Sequence, residues 1–187
     1  MKTKAIRKEP IEKATDIQWQ TWLELIEQAG GKNMSHPEIV AVAYRKLNKK
    51  IDKAGWWSQG IAVAYEQQIG RRLPGQKPDG TFEFSVSKTF DGQRKDIFEK
   101  VSRILDSKTK LNNGDVKNTR TTSTPNRSHW RCDLDDTKLD FSFEQRPKNK
   151  TAVIIYHTQL KNQSTSDEWR NFWKQYVAKE LSCNLLS

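Results

Sequence analysis

Apolar positions in the first 70 residues recur at helical spacing, whereas those from Thr81 to about Leu160 alternate. The first half predicts three helices. Thr15-Asp-Ile-Gln18 has the form of a capping box, with Trp19, Trp22, Leu23 and Ile26 following as one stripe and Gly30-Gly31 as the stop. Ser35-His-Pro-Glu38 is a second box, ahead of Ile39, Val40, Ala43 and Leu47. A third helix is expected over residues 55–69, with Trp57, Ile61, Ala64 and Gln68 on one side and Gly70 as its cap. The cluster Gly70-Arg-Arg-Leu-Pro-Gly-Gln-Lys-Pro-Asp-Gly80 interrupts both periods and marks a boundary.

The second half opens on a strand over 81–89, with Phe82, Phe84 and Val86 sharing a face. Asp91 is expected to cap a helix through about Leu105, with Ile97, Val101, Ile104 and Leu105 inward. The polar run 108–126 predicts an irregular loop and one strand near 116–124. Strands over 128–134, 138–145 and 151–159 follow, the first two placing Trp130, Cys132 and Leu134, then Leu139, Phe141 and Phe143, on one face. Val153, Ile154 and Ile155 make the last apolar on both sides, as in a central strand. The short links Asp135-Asp136 and 147–150 predict antiparallel hairpins. Thr165-Ser-Asp-Glu168 reads as a third capping box, opening a long helix striped with Trp169, Phe172, Trp173, Tyr176, Val177 and Leu181. Such a stripe needs a broad apolar surface, which a curved sheet supplies. The expected class is α+β: a flexible basic tail over 1–14, a three-helix domain over 15–70, a linker over 71–80, and a helix-grip domain over 81–187 with about five strands.

Phe84-Ser-Val-Ser-Lys-Thr89 leading into a helix, Trp130 and Asp133, the 139–144 strand and the Trp169–Trp173 helix carry a resemblance. On these residues the segment from about Phe82 to Leu181 resembles the SRPBCC, or START-like, helix-grip superfamily, and within it the bacterial homologues of the activator of the heat-shock protein 90 ATPase. The first half is similar to a short bacterial domain of unknown function fused ahead of such domains, through Ser35-His36-x-Glu38-Ile39, Trp56-Trp57-Ser58-Gln59 and Tyr65-Glu66-Gln67 followed by Gly70. That family more often has Ala at the position of Ser58 and Val before the Tyr-Glu pair. The resemblance implies a helix-grip fold, and with it either a cavity for an apolar ligand or a protein-binding role.

Composition narrows the classes. The 187 residues carry 33 Lys+Arg against 23 Asp+Glu, a net charge of +10. That charge divides evenly, +5 over 1–80 and +5 over 81–187. Arg45, Lys46, Lys49, Lys50 and Lys53, with Lys2, Lys4, Arg7, Lys8 and Arg71-Arg72, form the basic clusters. The third helix, where base-reading side chains would sit, lacks Arg and Lys, so a solvated basic face is preferred over nucleic-acid binding. No stretch approaches the roughly 20 apolar residues of a membrane helix. The N-terminal segment has no apolar core of a secretory signal, and two cysteines form no disulfide framework, so a cytosolic setting is expected.

No catalytic constellation emerges. Cys132 lies three residues after His129 on a strand, hence on the opposite face, and reads as a small core hydrophobe. None of the histidines at 36, 129 and 157 has metal-ligand spacing, and no phosphate-binding glycine motif occurs, so neither metal nor cofactor is expected. Two groups are candidates for recognition. Phe82, Phe84, Trp130, Cys132, Phe141, Phe143, Trp169 and Trp173 either fill a core or line a ligand pocket. His36, Trp56, Trp57, Gln59, Tyr65 and Glu66 form either a recognition surface or the packing of the helical domain, the latter preferred. The expected function is a non-catalytic protein holding a small apolar ligand. The alternatives are a protein-interaction or chaperone-associated module and, more weakly, non-specific nucleic-acid binding. Neither reading fixes an oligomeric state.

Overall fold

The computed structural model describes residues 4–48 and 50–186, so Lys2 and Lys49 of the basic clusters lie outside the described residues. The chain forms two compact units that divide between Pro74 and Gly75.

The first unit contains four helices: α1 (Glu9–Thr15), α2 (Trp19–Gln28), α3 (His36–Leu47) and α4 (Ala54–Gln68), with a short 3-10 turn at Gly31–Asn33. Helix α1 replaces much of the expected tail. Its Ile11 is buried with Trp22, Ile26, Ile39, Ala43, Leu47, Ile61 and Tyr65 in one core, which is reason enough for the segment to order. Thr15 is not the cap of α2. It ends α1, donates to Ile11 O at 2.8 Å and accepts from Trp22 Nε1 at 3.3 Å. The α2 N-terminus is served instead by Glu12, whose Oε1 accepts from Trp19 N at 2.7 Å. The Ser35–Glu38 capping box forms as expected. Helix α4 ends before Gly70, which takes φ +75°, a conformation that suits glycine.

The second unit contains β1 (Phe82–Asp91), α5 (Arg94–Asp106), β2 (Lys110–Leu111), β3 (Gly114–Ser123), β4 (Arg127–Leu134), β5 (Thr137–Arg146), β6 (Lys150–Leu160), α6 (Gln163–Tyr176), a π turn (Val177–Leu181) and α7 (Ser182–Leu186). The strands make one antiparallel sheet in the order β1-β6-β5-β4-β3-β2. The sheet curls around the C-terminal helix in a helix-grip fold of class α+β. There are six strands rather than five, because Asn112 and Asn113 at positive φ turn β2 back onto β3 within the polar run. Two cap assignments differ from expectation. Asp91 belongs to β1, and α5 begins after Gln93. Helix α6 begins a turn before the Thr165 box, capped by Asn162 Oδ1, which accepts from Thr165 N at 2.9 Å.

Strict alternation in β1, β4 and β5 sends Phe82, Phe84, Val86, Trp130, Cys132, Leu134, Leu139, Phe141 and Phe143 to the concave side. There they meet Ile97, Val101 and Leu105 of α5 and Trp173 and Tyr176 of α6. Along β6, Val153, Ile155 and His157 face the same way. Gln159 then adopts φ +64° in a bulge, so that Leu160 rather than Gln159 turns inward opposite Phe82.

Candidate functional site

The eight aromatic and sulfur positions proposed around a pocket gather on one side of the sheet. Trp130, Phe141, Phe143 and Trp173 are fully buried, Phe82, Phe84 and Cys132 nearly so, and Trp169 is half-buried. Their rings are in contact: Trp130 meets Phe141 edge to face at 5.8 Å between ring centres, Phe141 meets Trp173 edge to face at 5.5 Å, and Trp169 stacks on Trp173 at 5.9 Å. Trp130 Nε1 donates to Asp106 Oδ1 at 2.7 Å, tying the end of α5 to β4. Burial pushes the Cys132 thiol up to about 12, so it carries no thiolate for chemistry at neutral pH. His129 points to the opposite face, as strand parity requires.

The sequence reading missed the polar centre of this interior. His157 on β6 is fully buried against α6. Its Nδ1 accepts from Trp173 Nε1 at 3.1 Å, and its Nε2 lies 2.8 Å from Thr137 Oγ1. Thr137 Oγ1 donates to Leu134 O at 2.6 Å, so the hydroxyl accepts from the Nε2–H of a neutral imidazole. Burial lowers the His157 pKa from 6.5 to about 4, which agrees with that tautomer. The available signal was parity: His157 follows Val153 and Ile155 at steps of two.

Other buried hydroxyls in this unit lack a partner. Tyr176 Oη, Ser166 Oγ and Ser102 Oγ have none among the described residues, and burial raises the Tyr176 phenol to about 12.

In the helical unit, four of the six recognition candidates, His36, Gln59, Tyr65 and Glu66, enter polar pairs, Trp57 packs against the core, and Trp56 does neither. Glu66, only 6% exposed, accepts from His36 Nδ1 at 3.0 Å and from Arg71 at 3.1 Å and Arg72 at 3.4 Å. Gln59 Oε1 lies 2.9 Å from His36 Nε2. The two arginines, read as linker charge, therefore close the end of α4 around one carboxylate. Tyr65 is fully buried and donates to Glu27 Oε1 at 2.6 Å, and burial with that bond raises its pKa to about 12. Trp57 is half-buried, whereas Trp56 is 65% exposed and meets Trp57 edge to face at 4.6 Å. Glu66→Gln removes the charge that both arginines and His36 share, and is expected to destabilise this unit by about 2 kcal/mol. Denaturant unfolding followed by hydrogen exchange in α4 reads it; an unchanged midpoint would contradict the assignment.

Among the described residues, no group of three or more His, Cys, Asp and Glu side chains is placed to hold a metal ion, and no helix is long and apolar enough to cross a membrane. The chain matches no protein-family model and no curated protein sequence.

Proposed function

We propose that the chain is a non-catalytic binding protein whose helix-grip domain holds a small, mainly apolar ligand between the sheet and the C-terminal helix. The observation that carries this reading is the group of buried polar atoms without a hydrogen-bond partner among the described residues of this unit: Tyr176 Oη, Ser166 Oγ and Arg170 Nε on α6, Ser102 Oγ on α5 and Ser142 Oγ on β5. A buried hydroxyl without a partner costs on the order of 1–3 kcal/mol. A ligand with an apolar body and one or two polar atoms relieves that cost and gains the ring contacts of Trp169 and Phe172, both half-buried on the same helix. Two free cysteines, one buried, suit the cytosol as the compartment.

N-phenyl-1-naphthylamine, a neutral fluorophore with one N–H, is the probe. Saturable fluorescence enhancement is expected, weakened about fivefold in Tyr176→Phe through loss of the phenol oxygen as acceptor. An absence of enhancement would overturn the reading.

One observation favours a second reading, a protein-interaction module without a cavity. Trp56 exposes 65% of its surface beside Trp57, and tryptophan is the residue most enriched at interface hot spots. The two readings separate on Trp56→Ala, which leaves dye binding intact under the first. The basic clusters of the helical unit remain a weaker basis for non-specific nucleic-acid binding.

A further inference from the structure

The side of the sheet away from the aromatic core carries its own cleft, of about 300 Å3, lined by Arg120, Arg131, Lys138, Asp140, Tyr156 and Thr158. Arg120, Arg131, Asp140 and Tyr156 are successive cross-strand partners in one row over β3, β4, β5 and β6. Lys138 and Thr158 are partners in the next row. Period-two alternation puts all six on the outward face.

A solvated ladder of charges would set opposite signs across neighbouring strands. Here Arg120 lies directly opposite Arg131, an arrangement that destabilises a sheet when nothing bridges the two charges. The pairing is imposed by the fold: a bulge between Lys117 and Arg120, with Asn118 at φ +53°, swings Arg120 into the row. Arg131 is held rigidly, by Asp140 Oδ2 at 2.8 Å and Thr122 Oγ1 at 3.1 Å, while His129 takes the other oxygen of Asp140 at 2.8 Å. Arg120 is not so held. Its hydrogen bond goes to Asn118 O at 3.2 Å, and the carboxylate whose charge it feels, Asp133, is already bound by Lys138 and Asn118. The hydroxyls of Tyr156 and Thr158 have no protein partner among the described residues, and Tyr156 is 37% exposed.

We infer that this cleft binds the phosphate monoester group of a small organic molecule. A guanidinium fork matches an oxyanion bidentately, and two adjacent forks bridge one anion. A carboxylate has two oxygens and is filled by a single fork. The three terminal oxygens of a monoester take the guanidinium of Arg120 and the N–H groups of Arg131 that Asp140 and Thr122 leave over, and still accept from the Tyr156 and Thr158 hydroxyls. Its second negative charge strengthens the attraction to the guanidinium groups, while the Asp140 carboxylate in the cleft wall is already engaged by Arg131 and His129. The Tyr156 ring gives the organic part an apolar surface, and a cleft of this size admits a small molecule. This site is on the opposite face from the ligand position proposed above and stands independently of it.

The experiment is a titration of the full chain with phenyl phosphate, inorganic phosphate and benzoate, followed by arginine side-chain and backbone NMR shifts. Phenyl phosphate is expected to shift Arg120, Arg131 and Tyr156 saturably, at least about fivefold more tightly than inorganic phosphate or benzoate, and Arg120→Ala to weaken it about tenfold. Arg120 is exposed, so that variant keeps the fold, and Arg120→Lys is expected to recover only part of the affinity because an ammonium lacks the fork. Shifts scattered over surface lysines, equal binding of benzoate, binding of inorganic phosphate alone, or an unchanged affinity in Arg120→Ala would each overturn the assignment.

Discussion

Trp173→Ala is expected to lower the stability of the helix-grip unit by about 5 kcal/mol, at the upper end for a buried tryptophan. The side chain is fully buried and meets Phe141, Trp169, Phe172 and Tyr176 at ring-centre distances of 4.8–5.9 Å. Its removal opens a cavity that rigid aromatic neighbours on a curved sheet refill poorly. It also withdraws the indole N–H from His157 Nδ1, leaving a buried acceptor unpaired. Trp173→Phe separates the two contributions: it keeps much of the volume, loses the hydrogen bond, and is expected to cost about half as much. Amide exchange in β5 and β6 is the suitable readout, because it reports on this unit alone. A loss below about 1 kcal/mol in the alanine variant would show that α6 is held elsewhere.

How much of this was legible beforehand depends on whether the determining contact was local. Alternation at Phe82, Phe84 and Val86 and at Trp130, Cys132 and Leu134 named the inward face correctly, because strand parity is a property of neighbouring residues. The Ser35–Glu38 box was readable for the same reason. The Thr15 and Thr165 boxes had the right spacing and the wrong role. Asn162 captures the Thr165 N–H, and the α2 donor goes to Glu12 from a preceding helix. Helix α1 was missed because only seven residues with one buried isoleucine form it, and its order comes from the core it joins. Arg71 and Arg72 looked like solvated linker charge since nothing in their own segment reveals that α4 ends with Glu66 buried beside them. The aromatics of the helix-grip unit lie on the side of the sheet where alternation and the helical stripe placed them. The outward row of Arg120, Arg131 and Tyr156 depended on a bulge in a polar strand, where hydrophobic periodicity carries no information.

The His157 network makes the stability of the same unit depend on pH. Its folded pKa is near 4 and its unfolded value is 6.5, so above 6.5 the ring is neutral in both states and the network is intact. As pH falls from 6.5 toward 4, the unfolded chain takes up a proton that the folded ring refuses, and stability is lost. The total is about 3 kcal/mol, and the dependence flattens below the folded pKa. The groups around the ring are uncharged: Trp173 and Thr137 by hydrogen bond, Phe84 at 5.7 Å and Trp169 at 4.9 Å between ring centres. No carboxylate among these contacts stabilises an imidazolium, which is why burial sets the direction. The carboxylates of this unit with lowered pKa values, Asp79, Asp133 and Asp136, contribute in the same sense but are common to any variant at position 157. His157→Gln isolates the effect. It is less stable than the parent at neutral pH, having a poorer fit between Trp173 and Thr137, and the gap narrows by about 3 kcal/mol as pH falls through the window. Parallel curves for the two proteins from pH 6.5 to about 4 would mean that the buried ring does not titrate against the fold.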